Sequence, residues 1–358
     1  MNQNMSPGRG RLLLAFWLRT AIFLVLLAAA MFYTLHVLSP KYDYGMCSMD
    51  NLYRQPDNSV DVLVVGTSVA YAGVNTNVLY EEYGIASYNL CSAEQPFWIS
   101  YYALREALKT QTPRLILLDT KPALYDRDYT SSGRIIMSTY GIRSLENRIG
   151  AIRACVESDA EALEYLLMFP VLHSKYDSVT AEDFIYPLTN GGRGQDWKGY
   201  IEEDAVEFHR KPSFTWNSVR QNLNAREEEY ARKIFALAQE ENIPMMLITL
   251  PNPDYASEHM YVNALYSIAA EYGITGINYN DPSLHYGLRY STDFADWQHL
   301  NVKGSMTLSR QLGADLMALF DLPDRRGDVA YESYQRCADE WYAIYPGFES
   351  SGIKEVEP

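Results

Sequence analysis

The chain has 358 residues, of which 47% are hydrophobic and 21% charged, and its formal net charge is −15. Residues 1–40 contain three arginines and no acid, so the remaining residues together carry −18. A strongly acidic surface repels nucleic acid phosphates, and no basic stripe offsets it, so composition argues against nucleic acid as a partner.

An apolar segment occupies residues 12–38, interrupted by only four polar or charged residues. At 1.5 Å per residue it is long enough to cross a hydrocarbon layer of about 30 Å. Because the arginines lie toward its N-terminal end, the positive-inside rule predicts a cytoplasmic tip and an extracytoplasmic chain beyond residue 39. We therefore interpret residues 1–40 as a tip and a single-pass membrane anchor. The alternative is a signal peptide that is cleaved after the small residues 28–30.

Residues 41–58 have no periodicity and are predicted to be a stalk or an edge segment. Beyond them, short apolar runs predict strands, and apolar residues at helical spacing predict helices. The predicted strands are residues 60–65, 86–90, 115–118, 244–250 and 274–279, and the predicted helices are residues 95–110, 218–240 and 302–320. This alternation predicts an α/β domain over residues 59–320, with a doubly wound (flavodoxin-like) parallel sheet of about five strands.

Residues 125–216 interrupt the alternation and are interpreted as an insertion with an apparent helix at 161–169. Long insertions in compact folds are typically lids or binding loops. The glycines at 191–194 favour a solvated turn over a phosphate cradle, because no strand precedes them and no Lys-Ser/Thr follows. The acidic, aromatic tail at 321–358 is predicted to dock on the domain.

Two short motifs carry the chemistry. Gly66-Thr67-Ser68 ends the first predicted strand, and Asp296 and His299 lie in a loop just before the last predicted helix. A serine hydroxyl becomes nucleophilic when an imidazole takes its proton and a carboxylate orients that imidazole. Because the strand delivers Ser68 to the carboxyl edge of the sheet, we predict Ser68 as nucleophile, His299 as base and Asp296 as the orienting acid.

Two alternatives compete with this assignment. Asp281 and His285 form a second acid-base pair four residues apart, but the three-residue step from Asp296 to His299 lets both side chains bracket one loop turn. Ser68 is also well placed to cap the helix that follows the first strand, without any catalytic role.

The two motifs resemble those of the SGNH (GDSL-like) hydrolase superfamily, in which a G-x-S turn follows the first strand and a D-x-x-H near the C-terminus supplies the triad partners. The resemblance covers about residues 60–320. It implies an oxyanion hole that includes the N–H of Ser68 and, at the family's glycine position, the N–H of Cys91. The family's G-x-N-D after the third strand is missing, since residues 119–122 read Asp-Thr-Lys-Pro, so a third donor is not identified.

The anchor and the motifs together resemble a membrane-anchored type, similar to teichoic acid D-alanine transfer proteins and polysaccharide O-acetyltransferases. That resemblance implies an extracytoplasmic serine esterase or O-acyltransferase that needs no cofactor. The acyl group would pass through Ser68 to a hydroxyl of an envelope polymer or carbohydrate, or to water, and a multi-pass membrane acyltransferase is the partner that would supply it. The alternative is a catalytically inactive glycan-binding or scaffold subunit.

The four cysteines, Cys47, Cys91, Cys155 and Cys337, lack CxxC spacing, so no zinc site is predicted. Four cysteines allow three full pairings, and the sequence does not choose among them. Cys91 lies beside the predicted site, but no histidine accompanies it in the motif. It is therefore interpreted as a buried small residue rather than a catalytic thiol.

Overall fold

The structure is a computed structural model, and it describes residues 7–39, 45–185, 196–213 and 215–346. The chain divides into two units. The first consists of Met1–Lys41 and Leu163–Arg193, and the second consists of Tyr42–Ala162 and Gly194–Pro358. All the predicted site residues belong to the second unit.

The strands are β1 (Val62–Gly66), β2 (Ser87–Cys91), β3 (Leu115–Asp119), β4 (Met245–Thr249) and β5 (Thr275–Asn278). The helices are α1 (Pro7–Leu38), α2 (Met46–Leu52), α3 (Ser68–Gly73), α4 (Thr76–Tyr83), α5 (Phe97–Ala107), α6 (Ser132–Thr139), α7 (Leu145–Cys155), α8 (Asp159–Leu167), α9 (Phe169–Leu172), α10 (Ala181–Ile185), α11 (Ala225–Glu240), α12 (Tyr255–Ala270), α13 (Val302–Leu319) and α14 (Glu332–Ile344). Short 3-10 turns occur at Lys121–Leu124, His173–Asp177 and Val329–Tyr331.

The strands form one all-parallel sheet in the order β2-β1-β3-β4-β5, which confirms the predicted five-stranded parallel α/β architecture. All residues of β1, β2, β3 and β4 are buried, as expected for parallel strands covered on both faces. The winding direction reverses between β1 and β3. In open α/β sheets the carboxyl ends at such a reversal form the crevice where ligands bind.

One predicted helix begins later than expected. The helix predicted at 218–240 starts at Ala225, because Asn224 caps it by accepting a hydrogen bond from the N–H of Arg226 at 2.8 Å. The N–H of Gln221 donates to the carbonyl of Met260 at 3.1 Å, so a neighbouring helix holds the preceding residues in a non-helical path.

Two flanking segments pack on the second unit. Within the segment predicted as a stalk or an edge segment, α2 packs against β2 and α5, and the Ser48 hydroxyl donates to the carbonyl of Asn89 at 2.7 Å. Within the predicted tail, α14 packs against α4 and completely buries Trp341.

In the first unit, α1 contains the apolar stretch Gly10–Leu38, which is long and apolar enough to cross a membrane. The helix α9, the turn His173–Asp177 and the helix α10 pack against it. The glycine-rich residues 191–194 and the side chain of Cys47 lie outside the described part of the chain.

Candidate active site

The three predicted catalytic side chains lie together. The Nε2 atom of His299 is 2.8 Å from the Oγ atom of Ser68, and its Nδ1 atom is 2.7 Å from the Oδ2 atom of Asp296. Both distances are within the reach required of a nucleophile, its base and the group that orients the base. Ser68 is 6% exposed, whereas the side chain of Asp296 is 41% exposed. Ser68, His299 and Asp296 therefore form a hydrogen-bonded relay, which runs from a buried hydroxyl to an acid at the surface.

Thr67 shapes the turn that presents Ser68. Its Oγ1 atom accepts a hydrogen bond from the N–H of Val69 at 3.3 Å and donates one to Oδ2 of Asp119 at 2.6 Å. Its N–H also donates to Oδ2 of Asp119, at 3.0 Å. Thr67 is thus the residue that caps α3. The alternative role considered for Ser68 is filled by its neighbour, and the Ser68 hydroxyl is directed at His299.

Asp119, the last residue of β3, is the buried support of this turn. Besides the two bonds from Thr67, it accepts the N–H of Lys121 at 2.9 Å. Burial raises the pKa of Asp119, and the hydrogen bonds from Thr67 and Lys121 oppose that rise. A Cβ atom on Gly66 would lie 2.3 Å from the Cβ atom of Asp119, so this approach requires glycine. No sequence motif predicts this role of Asp119, because its partners become neighbours only when β1 and β3 pair.

The loop that carries Asp296 and His299 is closed by its own backbone. The Oδ1 atom of Asp296 accepts the N–H groups of Gln298 and His299, both at 2.8 Å. The N–H of Ala295 donates to the carbonyl of His299, also at 2.8 Å. A carboxylate that binds backbone N–H groups two and three residues ahead makes a tight Asx-type turn. This turn brings the side chains of Asp296 and His299 together across three residues.

A strap, residues 201–209, braces the same loop through its backbone. The N–H of Glu207 donates to the carbonyl of Phe294 at 2.9 Å, and the carbonyl of Ala205 accepts Nδ2 of Asn301 at 3.2 Å. Asn301 is also the N-cap of α13. The strap lies within the predicted insertion, and here it supports the loop that carries Asp296 and His299.

One carboxylate, Asp296, contacts the His299 imidazole, and a second, Glu203, lies within range of its charge. Burial raises the pKa of Asp296, but hydrogen bonds from the His299 ring and from the N–H groups of Gln298 and His299 outweigh it, so the pKa lies below its usual value. Glu203 on the strap is close enough to feel the charges of both His299 and Asp296. Its pKa is raised, chiefly by burial, with His299 opposing and Asp296 reinforcing the rise. The hydrogen bonds therefore favour the charged form of Asp296, whereas burial disfavours the charged form of Glu203.

Lys121 and Trp297 lie close to each other beside Asp296 and His299. The Nζ atom of Lys121 lies 5.7 Å from the centroid of the Trp297 ring and 2.5 Å from Oε1 of Glu258. Trp297, between Asp296 and His299 in the chain, is 56% exposed. Its ring therefore offers a flat apolar face to a ligand beside Asp296 and His299. No motif in the sequence predicts that Lys121 and Trp297 lie together.

Two backbone N–H groups, those of Ser68 and Cys91, are the predicted oxyanion donors. Within the described residues, the N–H of Ser68 has no hydrogen-bond acceptor, so it is available to a developing oxyanion. The N–H of Ser92 donates to the carbonyl of Gly66, and that of Asn89 donates to the carbonyl of Lys198. Alternate N–H groups of a strand point to the same side, so the N–H of Cys91 points in the same direction as that of Asn89, away from β1. An oxyanion role for Cys91 stays a prediction.

The competing residues are not assembled for catalysis. The ring of His285 bonds the carbonyl of Ser283, and Asp281 accepts the N–H and hydroxyl of Ser283. The thiol of Cys91 donates to the carbonyl of Val64 at 3.7 Å, and burial raises its pKa well above the usual value. Cys91, Cys155 and Cys337 are buried free thiols that form no disulfide. Within the described residues, no group of three or more His, Cys, Asp or Glu side chains is arranged to hold a metal ion.

No protein-family model matches this chain, and no curated protein matches it either. The interpretation of the site therefore depends on its own residues and their geometry.

Proposed function

We propose that this chain is an extracytoplasmic serine esterase or O-acyltransferase of the SGNH-like type. The observation that supports the proposal most directly is the hydrogen-bonded relay from Ser68 through His299 to Asp296. A buried hydroxyl within 2.8 Å of an imidazole that is itself oriented by a carboxylate is the arrangement that activates serine for acyl transfer.

In the first half-reaction, the Oγ atom of Ser68 attacks the carbonyl carbon of an acyl ester while Nε2 of His299 takes the hydroxyl proton. The imidazolium is stabilised by Asp296, and the N–H of Ser68 donates to the negative carbonyl oxygen. Collapse of the tetrahedral intermediate breaks the ester C–O bond. His299 returns the proton to the leaving alkoxide, and an acyl-Ser68 ester remains.

In the second half-reaction, His299 deprotonates the acceptor hydroxyl, and the acceptor oxygen attacks the acyl-Ser68 carbonyl. The tetrahedral intermediate collapses by breaking the bond to Oγ of Ser68, which takes the proton back from His299. Water as acceptor gives hydrolysis, and a sugar or polyol hydroxyl gives transfer. Both outcomes share one acyl-enzyme. The anchor favours acyl esters of an envelope polymer or carbohydrate as substrates, since it would keep the site close to acyl donors at the membrane.

The alternative, a non-catalytic glycan-binding or scaffold subunit, is favoured by one observation. The chain lacks the G-x-N-D motif that supplies an oxyanion donor in the family it resembles. Each missing donor costs about 3 to 4 kcal/mol of transition-state stabilisation.

Labelling of the full chain with a fluorophosphonate probe separates the two functions, since only an activated serine reacts. We expect labelling and hydrolysis of 4-nitrophenyl acetate in the wild type, and loss of both in Ser68→Ala. Ser283→Ala is the matched control, because Ser283 is an exposed loop serine whose hydroxyl bonds Asp281. Unlabelled wild-type protein would favour the scaffold function, and labelling that survives in Ser68→Ala would reject Ser68 as the nucleophile.

A further inference from the structure

A cluster of exposed apolar side chains occurs in the first unit outside α1. Between residues 163 and 185, six large apolar or aromatic side chains are each 50% to 76% exposed. They are Leu163, Leu167, Phe169, Tyr176, Phe184 and Ile185. Six such side chains within 23 consecutive residues exceed the singly scattered exposed apolar residues of an ordinary surface, and exposed apolar surface marks contact with a partner or with lipid.

This segment packs against the C-terminal part of α1. The helices α9 and α10 and the turn His173–Asp177 all contact α1. The Tyr33 hydroxyl donates to the carbonyl of Phe184 at 2.5 Å. Four of the exposed side chains, Phe169, Tyr176, Phe184 and Ile185, therefore belong to elements that adjoin the apolar helix itself.

The position of these contacts along α1 indicates the depth of the segment. A hydrocarbon core of about 30 Å is spanned by about 20 helical residues. The apolar stretch Gly10–Leu38 has 29 residues and is therefore about 44 Å long, so a centred hydrocarbon core leaves about 7 Å, or about five residues, at each end. Tyr33 then lies at the boundary with the headgroups, where aromatic residues with a polar tip are favoured.

We propose that residues 163–185 form an interfacial collar that lies in the headgroup and acyl boundary of the bilayer beside α1. This inference depends on the proposed anchoring by α1. Lipid is the occupant because four of the exposed side chains belong to elements that adjoin a helix whose own apolar side chains need lipid, from Leu12 at 74% exposure to Phe32 at 65%. Short segments with an apolar face insert about 5–10 Å into this boundary.

The charge of the collar indicates which force binds it to the bilayer. Its acids include Glu182 and Asp183 in the first turn of α10, and the segment carries more acids than bases. Anionic headgroups would therefore not attract it, and binding would come from buried apolar area. The collar should remain inserted in vesicles of zwitterionic phosphatidylcholine and at high salt.

The test uses the full chain in phosphatidylcholine vesicles, with an environment-sensitive fluorophore on single cysteines in a Cys47→Ser background, since Cys91, Cys155 and Cys337 are buried. Labels at Phe169→Cys and Phe184→Cys report on the collar, and a label at Leu24→Cys reports on the middle of α1. Val329→Cys, at an 83% exposed position of the second unit, is the control. Quenchers are doxyl groups placed shallow or deep in the acyl chains.

We expect the shallow quencher to reduce the emission of both collar labels at least twofold more than that of the Val329 label, and the deep quencher to act most on the Leu24 label. Quenching at Leu24 without quenching at Phe169 and Phe184 would overturn the collar and leave the anchor intact. Absence of quenching at all four positions would overturn the anchor and the collar together. Equal quenching at Val329 and at the collar would also reject the collar, because lipid contact would not be specific to it.

Discussion

Asp296 accepts three hydrogen bonds within its own loop, two from backbone N–H groups and one from the His299 ring. In Asp296→Asn the remaining oxygen can keep the turn closed, but an amide nitrogen facing Nδ1 donates instead of accepting. His299 would then carry its proton on Nε2 and could not take one from Ser68. We expect kcat for ester hydrolysis to fall by on the order of 10⁴ with little change in thermal stability.

The control for that substitution is Asp281→Asn, which alters the competing acid in an exposed loop. Its kcat should equal that of the wild type. A large loss of activity in Asp281→Asn, together with a small loss in Asp296→Asn, would reverse the assignment of the orienting acid.

The close approach of Gly66 to Asp119 can be tested by substitution. In Gly66→Ala the new Cβ atom would lie 2.3 Å from that of Asp119, so the carboxylate must move away from Thr67. We expect a loss of about 1 to 3 kcal/mol in the free energy of unfolding and a lower kcat. Gly133→Ala is the matched control, because a Cβ atom there meets nothing within 4 Å. Equal stability of the two variants, measured by chemical denaturation, would contradict this account.

The relay could be predicted from the sequence because each member stands in a short contiguous motif. Ser68 ends an apolar strand, and Asp296 and His299 are three residues apart. Asp119 and Glu203 could not be predicted in the same way. Their roles depend on which strand lies beside β1 and on where the strap runs, and neither is encoded by a local spacing.

Among the elements, α5 and α11 are joined by a buried carboxyl group. The Oε2 atom of Glu227 on α11 accepts the N–H of Phe97 at the start of α5, at 2.9 Å, and its Oε1 atom has no partner within the described residues. Burial raises the pKa of Glu227 to about 8, while the bond from Phe97 and the charges of Arg127 and Arg226 oppose the rise. The folded chain therefore holds this proton at neutral pH.

This pKa predicts how stability varies with pH. An unfolded glutamate titrates near a pKa of about 4.3, so between about pH 4 and pH 8 the folded state binds one proton more than the unfolded state. Stability should then fall as pH rises through this window, by up to about 1.4 kcal/mol per pH unit from this group. Glu227→Gln keeps an oxygen for Phe97 and cannot ionise, so we expect it to flatten the decline and to be more stable than the wild type at pH 8.

Thermal unfolding between pH 5 and pH 8.5 measures this effect. The control is Glu240→Gln, at the exposed C-terminal end of the same helix, which should leave the slope unchanged. The assignment of the slope to Glu227 is wrong if Glu227→Gln declines as steeply as the wild type.

Strands, helix starts and irregular segments differ in how well the sequence pattern predicts them. Strand positions followed from apolar runs, because buried parallel strands tolerate few polar residues. The start of α11 was predicted too early, since apolar spacing continued into residues that bond to α12 instead of to one another. The strap has no periodicity at all, because its backbone hydrogen bonds reach the helices α3 and α13 and the loop at 290–294, and not a sheet.

At the scale of the whole molecule, charge and apolar length are the features that bear on location. The three arginines within residues 1–40 lie toward one end of the apolar stretch, and a net charge of −18 lies beyond it. Orientation depends on positive charge close to the ends of a span, and acids contribute little. The arginines therefore favour a cytoplasmic N-terminus, with Ser68 on the opposite side of the membrane.

Protease added to intact spheroplasts tests this topology. Because a protease outside the membrane reaches only extracytoplasmic chain, we expect it to digest the second unit and leave a short fragment containing α1. Lysed spheroplasts, in which the cytoplasmic tip is also accessible, are the control. A protected full-length chain would reverse the orientation. Soluble protein that begins near Met31 would instead identify the segment as a cleaved signal, and acyl donors at the membrane would then no longer be the expected source of the group carried by Ser68.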